Sequence, residues 1–525
     1  MNQNNISAAE LFLRVRELLI LPELEPKTRN KMMHDTLILC CHEGVKDTKQ
    51  AFGNLFSQVD YLCKAHGIKV ADKIAIQTMR RHSNSQEPLS SEDLKYDARA
   101  LAIFISAVFG VDVPHELNVL IPHTNRPYQK GLEINNRRIR CIVKNWDSDF
   151  IRVDIDQDAD EEEYLVQLKD EENHIDHTYL WDILKEGMQL NLLDCQVKQP
   201  VITPRLIVVE PDYLVDISSI ATCFTAFGHH PLLYLLNQMK PRANTQATLL
   251  GNFAGAALDD IINTNGKYQM NETIKTNFRE KALEFCTCPW FDAKKFYTDA
   301  NQQAFNLQQV VDILFPRTAS QAQMSAFRGE SLYDRKKAIL EPSFVCEALG
   351  IQGRVDLMTT DCKLLVEQKS GRNMNIETHQ VDPGYHSYQL EPHYVQLLLY
   401  YGVLQHNFKL SNDRVNIRLL YSKYQPQDGL MVVAYYHKLF QEAITYRNQL
   451  VAASFEIAKE GFEHALNEFT PDVLNVAGTQ DFFYNKYLKP QIEAITSPLH
   501  NLTPLEEAYF CRMMTFVLRE QMISK

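Results

Sequence analysis

A chain of 525 residues, 45% hydrophobic and 23% charged, has the make-up of a folded protein with room for two to four domains. Its net charge of −12 excludes a surface that is basic throughout, though not a local basic channel. It contains no apolar run long enough to span a bilayer, and M-N-Q-N-N-I-S is not a signal peptide; eleven cysteines, an odd number, fit reduced thiols in a cytoplasmic protein.

Residues 1–118 read as a helical module. Leu11, Leu13, Val15, Leu18 and Leu19 form an apolar stripe, and similar stripes recur at 37–41, 52–62 and 100–109. The polar stretch 83–91 reads as a loop that ends in an N-cap before Glu92. This part carries no catalytic constellation and suits support or partner contact.

Residues 119–210 change to short strands. Arg138 to Val143 and Phe150 to Ile155 flank a turn at 145–149, and further strands are expected at Tyr164 to Leu168, Met188 to Leu193 and Leu206 to Val209. An acidic run, 158–163, reads as a solvated loop. The strand spacing predicts a small β-barrel, OB-like, in which Trp146, Phe150 and Trp181 either pack the core or stack on bases.

Residues 211–470 read as an α/β domain, so that the whole chain is an α+β multidomain protein. R-L-I-V-V-E-P-D-Y-L-V-D-I-S-S-I-A (205–221) leads into it, followed by an apolar helix at 249–262 and helices through 266–337 broken at Pro289-Trp290 and Pro316. After residue 372 come a His- and Tyr-rich loop to Leu390, a helix with Gln396 and Tyr400 on one face, strands at Arg414 to Tyr421 and Gly429 to Ala434, and a long closing helix. Residues 471–525 are expected to be helical, with Phe482, Phe483, Tyr484 and Tyr487 and a last amphipathic helix from Leu505.

The chemistry is concentrated between Glu341 and Arg372. Ile351 to Met358 reads as one strand, with Gly353 allowing a close backbone approach; 359–361 is the turn; Lys363 to Lys369 is the second strand. Glu367 and Lys369 are two apart and share a strand face, which Asp356 can reach from its neighbour. Two carboxylates and a lysine converging at a sheet edge are costly unless neutralised, and a hard cation, Mg²⁺ or Mn²⁺, does that. The lysine then orients water or stabilises charge on a phosphate oxygen, which points to phosphodiester hydrolysis.

With G-R-V-D, L-L-V-E-Q-K-S-G and H-Y-V-Q-L-L-L-Y-Y in this order, the sequence resembles PD-(D/E)XK nucleases of the RecB type. The resemblance implies catalytic roles for Asp356, Glu367 and Lys369, metal binding by Asp356, Glu367 and the Gln368 carbonyl, and substrate contacts from Gln396, Tyr400, Ser370 and Arg372, with Glu341 a possible further acidic member. The 205–221 segment is similar to the entry into the nuclease domain of Dna-two-type helicase–nucleases, over roughly residues 130–450. It implies a metal-dependent nuclease acting on single-stranded DNA or DNA ends in repair, replication or defence. A helicase is then expected in cis or as a separate subunit, since no G-x-x-x-x-G-K-[ST] occurs in this chain.

Two departures from that family stand out. Counting from Gly251, the first-motif histidine position holds Gly255; His229, His230, Asp259 and Asp260 are the possible substitutes. Cys286-x-Cys288 and the lone Cys511 do not match the spacing of an iron–sulfur site, so no cluster is expected. The missing histidine keeps open an alternative, a catalytically silent nuclease fold that serves a helicase or defence partner as a DNA-binding platform. A purely structural interaction protein is a third reading. Arg137-Arg138-Arg140, Arg335-Lys336-Lys337 and Lys369/Arg372 are the candidate phosphate contacts.

Overall fold

The computed structural model describes residues 6–524 apart from 22–24, 49–51, 53–54, 86–87, 127–136, 156–162, 172–173, 226–227, 240–243, 265–266, 382–386, 411–414, 469, 471, 476–481, 483 and 500. Most of the acidic run, together with Arg414 and Phe483, lies outside the described residues. The chain forms two compact units: Met1–Tyr213 with Val451–His464 and Cys511–Lys525, and Leu214–Leu450 with Ala465–Phe510. No helix among the described residues is long and apolar enough to cross a membrane.

The first unit opens with the expected helices, Ala8–Ile20, Pro26–Val45, Leu55–Ala65, Val70–Ser83 and Ser91–Phe109. Ser7 and Glu10 form a reciprocal capping box on the first, and Ser90 caps the last, whose end is turned by Gly110 in the left-handed region (φ 64°). Leu11, Val15, Leu18, Leu37, Leu101 and Phe104 meet in one buried core. Two aspartates inside this helical part are neutralised by neighbours. Asp60 accepts from Lys64 (3.1 Å) and Lys73 (2.7 Å), and Asp97 lies 2.7 Å from His82 and 3.6 Å from Arg126.

The strands that follow correct the barrel expectation. Among the described residues they form a seven-stranded sheet in the order Gln196–Lys198, Val201–Thr203, Tyr164–Gln167, Phe150–Ile155, Arg138–Trp146, Gln189–Leu193, Leu206–Val209, and the two end strands are not paired with each other. The inner face is covered instead by Leu180 of a short 3₁₀ turn, Thr178–Asp182, and by Leu184, which join Val143, Val153, Val166 and Leu190 in one apolar cluster. Closure of the ladder is therefore not needed to bury that face. Trp146 packs partly on the cluster, and Trp181 is 43% exposed.

The second unit holds a five-stranded sheet, Ala338–Leu340, Leu357–Thr359, Leu364–Lys369, Asn416–Tyr421, Leu430–Val432, and a three-stranded sheet, Val215–Asp216, Ile351–Arg354, Ser343–Cys346. Leu364–Lys369 and Asn416–Tyr421 run parallel, joined by the helix Glu391–Phe408, while the other pairs in the larger sheet are antiparallel. The helices Gln246–Asn263 and Ala293–Leu314 cover it, with Phe253, Leu258, Leu307 and Val311 packed against Leu364, Val366 and Leu420.

Candidate active site: a carboxylate corner

The single strand expected over Ile351 to Met358 is two strands, and the break makes the site. Glu341-Pro342 on one side and Val355-Asp356 on the other interrupt a hairpin, so that its halves belong to different sheets. The corner is tied by the Glu341 N–H to the Asp356 carbonyl (3.0 Å) and the Val355 N–H to the Pro342 carbonyl (3.3 Å). Glu341 turns it in the left-handed region, φ 49°, a sparsely populated conformation for a residue with a side chain.

The antiparallel ladder beside Leu364–Lys369 reaches only Leu357 opposite Val366, so Glu367 to Lys369 keep one neighbour, the Asn416–Tyr421 strand. On the vacated edge the Asp356 carboxylate takes the place of a strand and accepts the Gln368 N–H at 2.6 Å. Strand alternation then separates the motif. The Gln368 side chain donates to Ser422 Oγ (3.0 Å), while Glu367 and Lys369 turn to the other face. There Lys369 Nζ donates to Glu367 Oε1 and to Gln396 Oε1, both at 2.8 Å. Gln396 lies on the helix Glu391–Phe408, and one turn on Tyr400 donates to the Arg354 carbonyl at 2.6 Å. Gly353 makes room for that ring, because a Cβ there would lie 2.9 Å from Tyr400 Cε1.

Charge at the corner is under-compensated. Glu367 is 2% exposed, and its Oε2 is buried with no hydrogen-bond partner among the described residues. Burial, then the neighbouring Asp356 carboxylate, pushes its carboxyl up to about 8 against the pull of Lys369 and of the Asp356 N–H. Burial also raises Asp356, opposed by the Gln368 N–H and Lys369. A third carboxylate joins from the helix Gln246–Asn263. Asp259 is raised to about 6 by burial and by Glu341, Asp260 and Asp356. Gly251, Gly255 and Asp259 are spaced four apart and so share one stripe of that helix. Gly251 faces Ser370, whose Oγ would be 3.2 Å from an added Cβ, and a Cβ at Gly255 would meet nothing within 4 Å.

Of the substitutes for the first-motif histidine, Asp259 is thus one that feels the charge of Asp356. Asp260 instead accepts from Thr273 at 2.5 Å. His229 is clamped between Glu442 at Nδ1 (2.6 Å) and Glu391 at Nε2 (2.7 Å). Burial opposes its charge, yet the two glutamates raise it to about 9. His230 Nδ1 accepts the Leu232 N–H.

The remaining expected residues divide. Ser370 sits at the glycine face, its carbonyl held by Gln303 Nε2 at 3.0 Å. Arg372 pairs with Glu377, which Lys423 also reaches. Two of the basic clusters are engaged locally. Arg140 forms a bidentate pair with Asp212 (2.8 and 3.0 Å), Arg335 caps the carbonyls of Ile261 and Ile262, and Lys337 pairs with Asp361 at 3.0 Å. Sequence reasoning missed Gln303 and Ser422. Ser422 Oγ donates to Gln303 Oε1 (2.5 Å), and Asn306 donates to the Ser422 carbonyl (2.9 Å), which braces the end of the Glu367–Lys369 strand from behind. For Gln303 the one sequence signal is polarity inside an otherwise apolar helix face; Ser422, in the turn just past the Asn416–Tyr421 strand, gives none.

Among the described residues no three His, Cys, Asp or Glu side chains converge closely enough to form a complete metal ligand set. The donor chemistry nevertheless fits a hard divalent cation. An unpartnered buried carboxylate oxygen, two further carboxylates raised by burial and a nearby main-chain carbonyl are oxygen donors, and water completes such a sphere. Comparison with known families finds no family model that matches the chain, and comparison with curated proteins finds none that matches it.

Proposed function

We propose that the protein is a Mg²⁺- or Mn²⁺-dependent deoxyribonuclease acting on single strands or DNA ends, in the cytoplasm and alongside a helicase. The observation that carries this reading is the buried Glu367 carboxylate, with Lys369 on one oxygen and no partner on the other among the described residues. Asp356 and Glu367, with the Gln368 carbonyl and with Asp259 in place of a histidine, would hold the cation. Bound there, it would supply Lewis acidity toward a phosphoryl oxygen and neutralise the clustered carboxylates.

The chain's own residues do the rest. Glu367 and Gln396 together fix the Lys369 ammonium, so its third proton is aimed without rotamer search at an attacking water or at phosphoryl oxygens as charge develops. Tyr400 pins the main chain at Arg354, next to Asp356, and the Gln303–Ser422 brace holds the far end of the strand. Both keep the carboxylates and the ammonium in register.

The test is cleavage of end-labelled single-stranded and duplex DNA with Mg²⁺, Mn²⁺ or EDTA, wild type beside Lys369→Ala. Metal-dependent cutting that the variant loses is expected. Absence of cutting with either metal, with DNA still retained in a gel shift, favours the second reading, a silent DNA-binding platform, for which Gly255 at the histidine position is the specific support.

A further inference from the structure

Two cations stand at the carboxylate corner, and they are held very differently. Lys369 is 22% exposed and fixed by two acceptors, one of them on a buried glutamate. Arg354 ends the Ile351–Arg354 strand two residues before Asp356, with its side chain 59% exposed. It forms an ion pair with Glu341 at 2.9 Å, and that glutamate is itself 43% exposed. Its main chain is not free to move, since Tyr400 holds the carbonyl and Gly353 packs on the Tyr400 ring. Its charge acts on both Asp356 and Asp259, so the guanidinium lies within reach of the same space.

We propose that Arg354 is a phosphate clamp for the nucleic-acid strand at this site and that Glu341 is its parking partner rather than a metal ligand. This rests on the nucleic-acid reading given above. A guanidinium recognises phosphate by two parallel hydrogen bonds, geometry that an ammonium lacks. An exposed ion pair contributes little to stability, so exchanging Glu341 for a phosphate carries a small penalty. The left-handed backbone at Glu341 fixes where its carboxylate starts, one residue along the corner from the strand that pairs with the Asp356 side. Binding of a phosphate would leave Glu341 exposed to water, where a carboxylate is well solvated, so no buried charge is orphaned by the exchange.

The two residues then have opposite signs. Measured by anisotropy with a labelled single-stranded oligonucleotide, in EDTA and again with Ca²⁺, Arg354→Ala is expected to weaken binding about tenfold. It should also reduce the slope of log K against log salt by roughly 0.7, the loss of one phosphate contact on a single strand. Arg354→Lys should fall between wild type and Arg354→Ala. Glu341→Gln should tighten binding about two- to fivefold, and the double variant should return to the Arg354→Ala level. Both side chains are exposed, so neither change should alter the fold, which circular dichroism checks.

Weakening by both single variants, an unchanged salt slope in Arg354→Ala, or a wild type that does not bind the oligonucleotide would overturn the proposal. A Glu341→Gln loss confined to the Ca²⁺ series would make Glu341 a metal ligand and overturn it as well. The two readings separate cleanly. Opposite-sign binding effects in a protein that cuts nothing with Mg²⁺ or Mn²⁺ uphold the clamp and sink the nuclease. Metal-dependent cutting with no effect of either variant on binding does the reverse.

Discussion

The two units treat buried carboxylates in contrasting ways. In the helical part Asp60 is 2% exposed and has two lysines within 3.1 Å; Asp97, also 2% exposed, has a histidine and an arginine. At the corner of the second unit Glu367 is equally buried, yet among the described residues it has one lysine and leaves an oxygen bare, with Asp356 and Asp259 adding charge of the same sign. A buried carboxylate that is matched on the spot serves the fold. One that is left unmatched beside two others is costly to keep, which is the physical ground for the site proposed above.

The largest effect that would sharpen this contrast is on activity. Lys369→Ala removes the ammonium fixed to Glu367 and should lower cleavage by about 10²–10³, of the order seen when a preorganised charge donor is lost, with DNA affinity changing far less. Rate measurements at saturating DNA decide it; cleavage within about tenfold of wild type would remove Lys369 from the chemistry.

Stability supplies the next test, with opposite signs in the two units. Lys73→Met leaves Asp60 with one lysine and takes a partner from Asp154 too, and should cost about 1–3 kcal/mol. Glu367→Gln in EDTA should instead stabilise, by roughly 3 kcal/mol at neutral pH. The sign follows from the raised carboxyl: the native state holds a proton that the unfolded chain releases near its ordinary value. The contribution of Glu367 to metal-free stability is therefore fully present in acid and is lost as pH rises from about 4.5 to about 8. Urea unfolding across that range should show the decline in wild type and a flatter profile in Glu367→Gln. Saturating Mn²⁺ should flatten it as well.

Smaller effects probe the packing that frames the corner. Gly353→Ala drives a methyl to 2.9 Å from the Tyr400 ring and 3.3 Å from Ile217, and should cost about 1–3 kcal/mol while loosening the Arg354 main chain. Gly255→Ala meets nothing within 4 Å and replaces a mid-helix glycine, so it should stabilise by ~0.5–1 kcal/mol. Thermal unfolding of the two separates a glycine needed for space from one that is not.

Much of this was legible in the chain. The helical stripes of the first hundred residues, the Leu364–Lys369 strand and the Gln396/Tyr400 face depend on local periodicity, which the sequence displays directly. The Glu367–Lys369 contact followed from a two-residue spacing, and the need for space at Gly353 from glycine alone. What escaped depends on long-range pairing. Ile351 to Met358 has the pattern of one strand because alternation is blind to which sheet a residue joins, and the break at Val355-Asp356 is set by the left-handed Glu341 across the ladder. The barrel failed for a related reason: strand count and spacing do not say whether a 3₁₀ turn carrying Leu180 will cover the sheet instead. Asp259 and Asp260 are neighbours with the same side chain, and only the helix's rotation relative to the sheet decides that the first faces the corner and the second Thr273.

The corner has a consequence for assembly. Glu341 and Asp356 stand at the point where one hairpin passes between two sheets, so Asp356, Glu367 and Asp259 come within electrostatic reach of one another only after both ladders and the helix bearing Asp259 have docked. A half-made chain, or one opened locally at either sheet, holds the same residues without the site. Such an architecture ties the arrangement to completion: the corner exists in the finished tertiary structure and not in its separate parts.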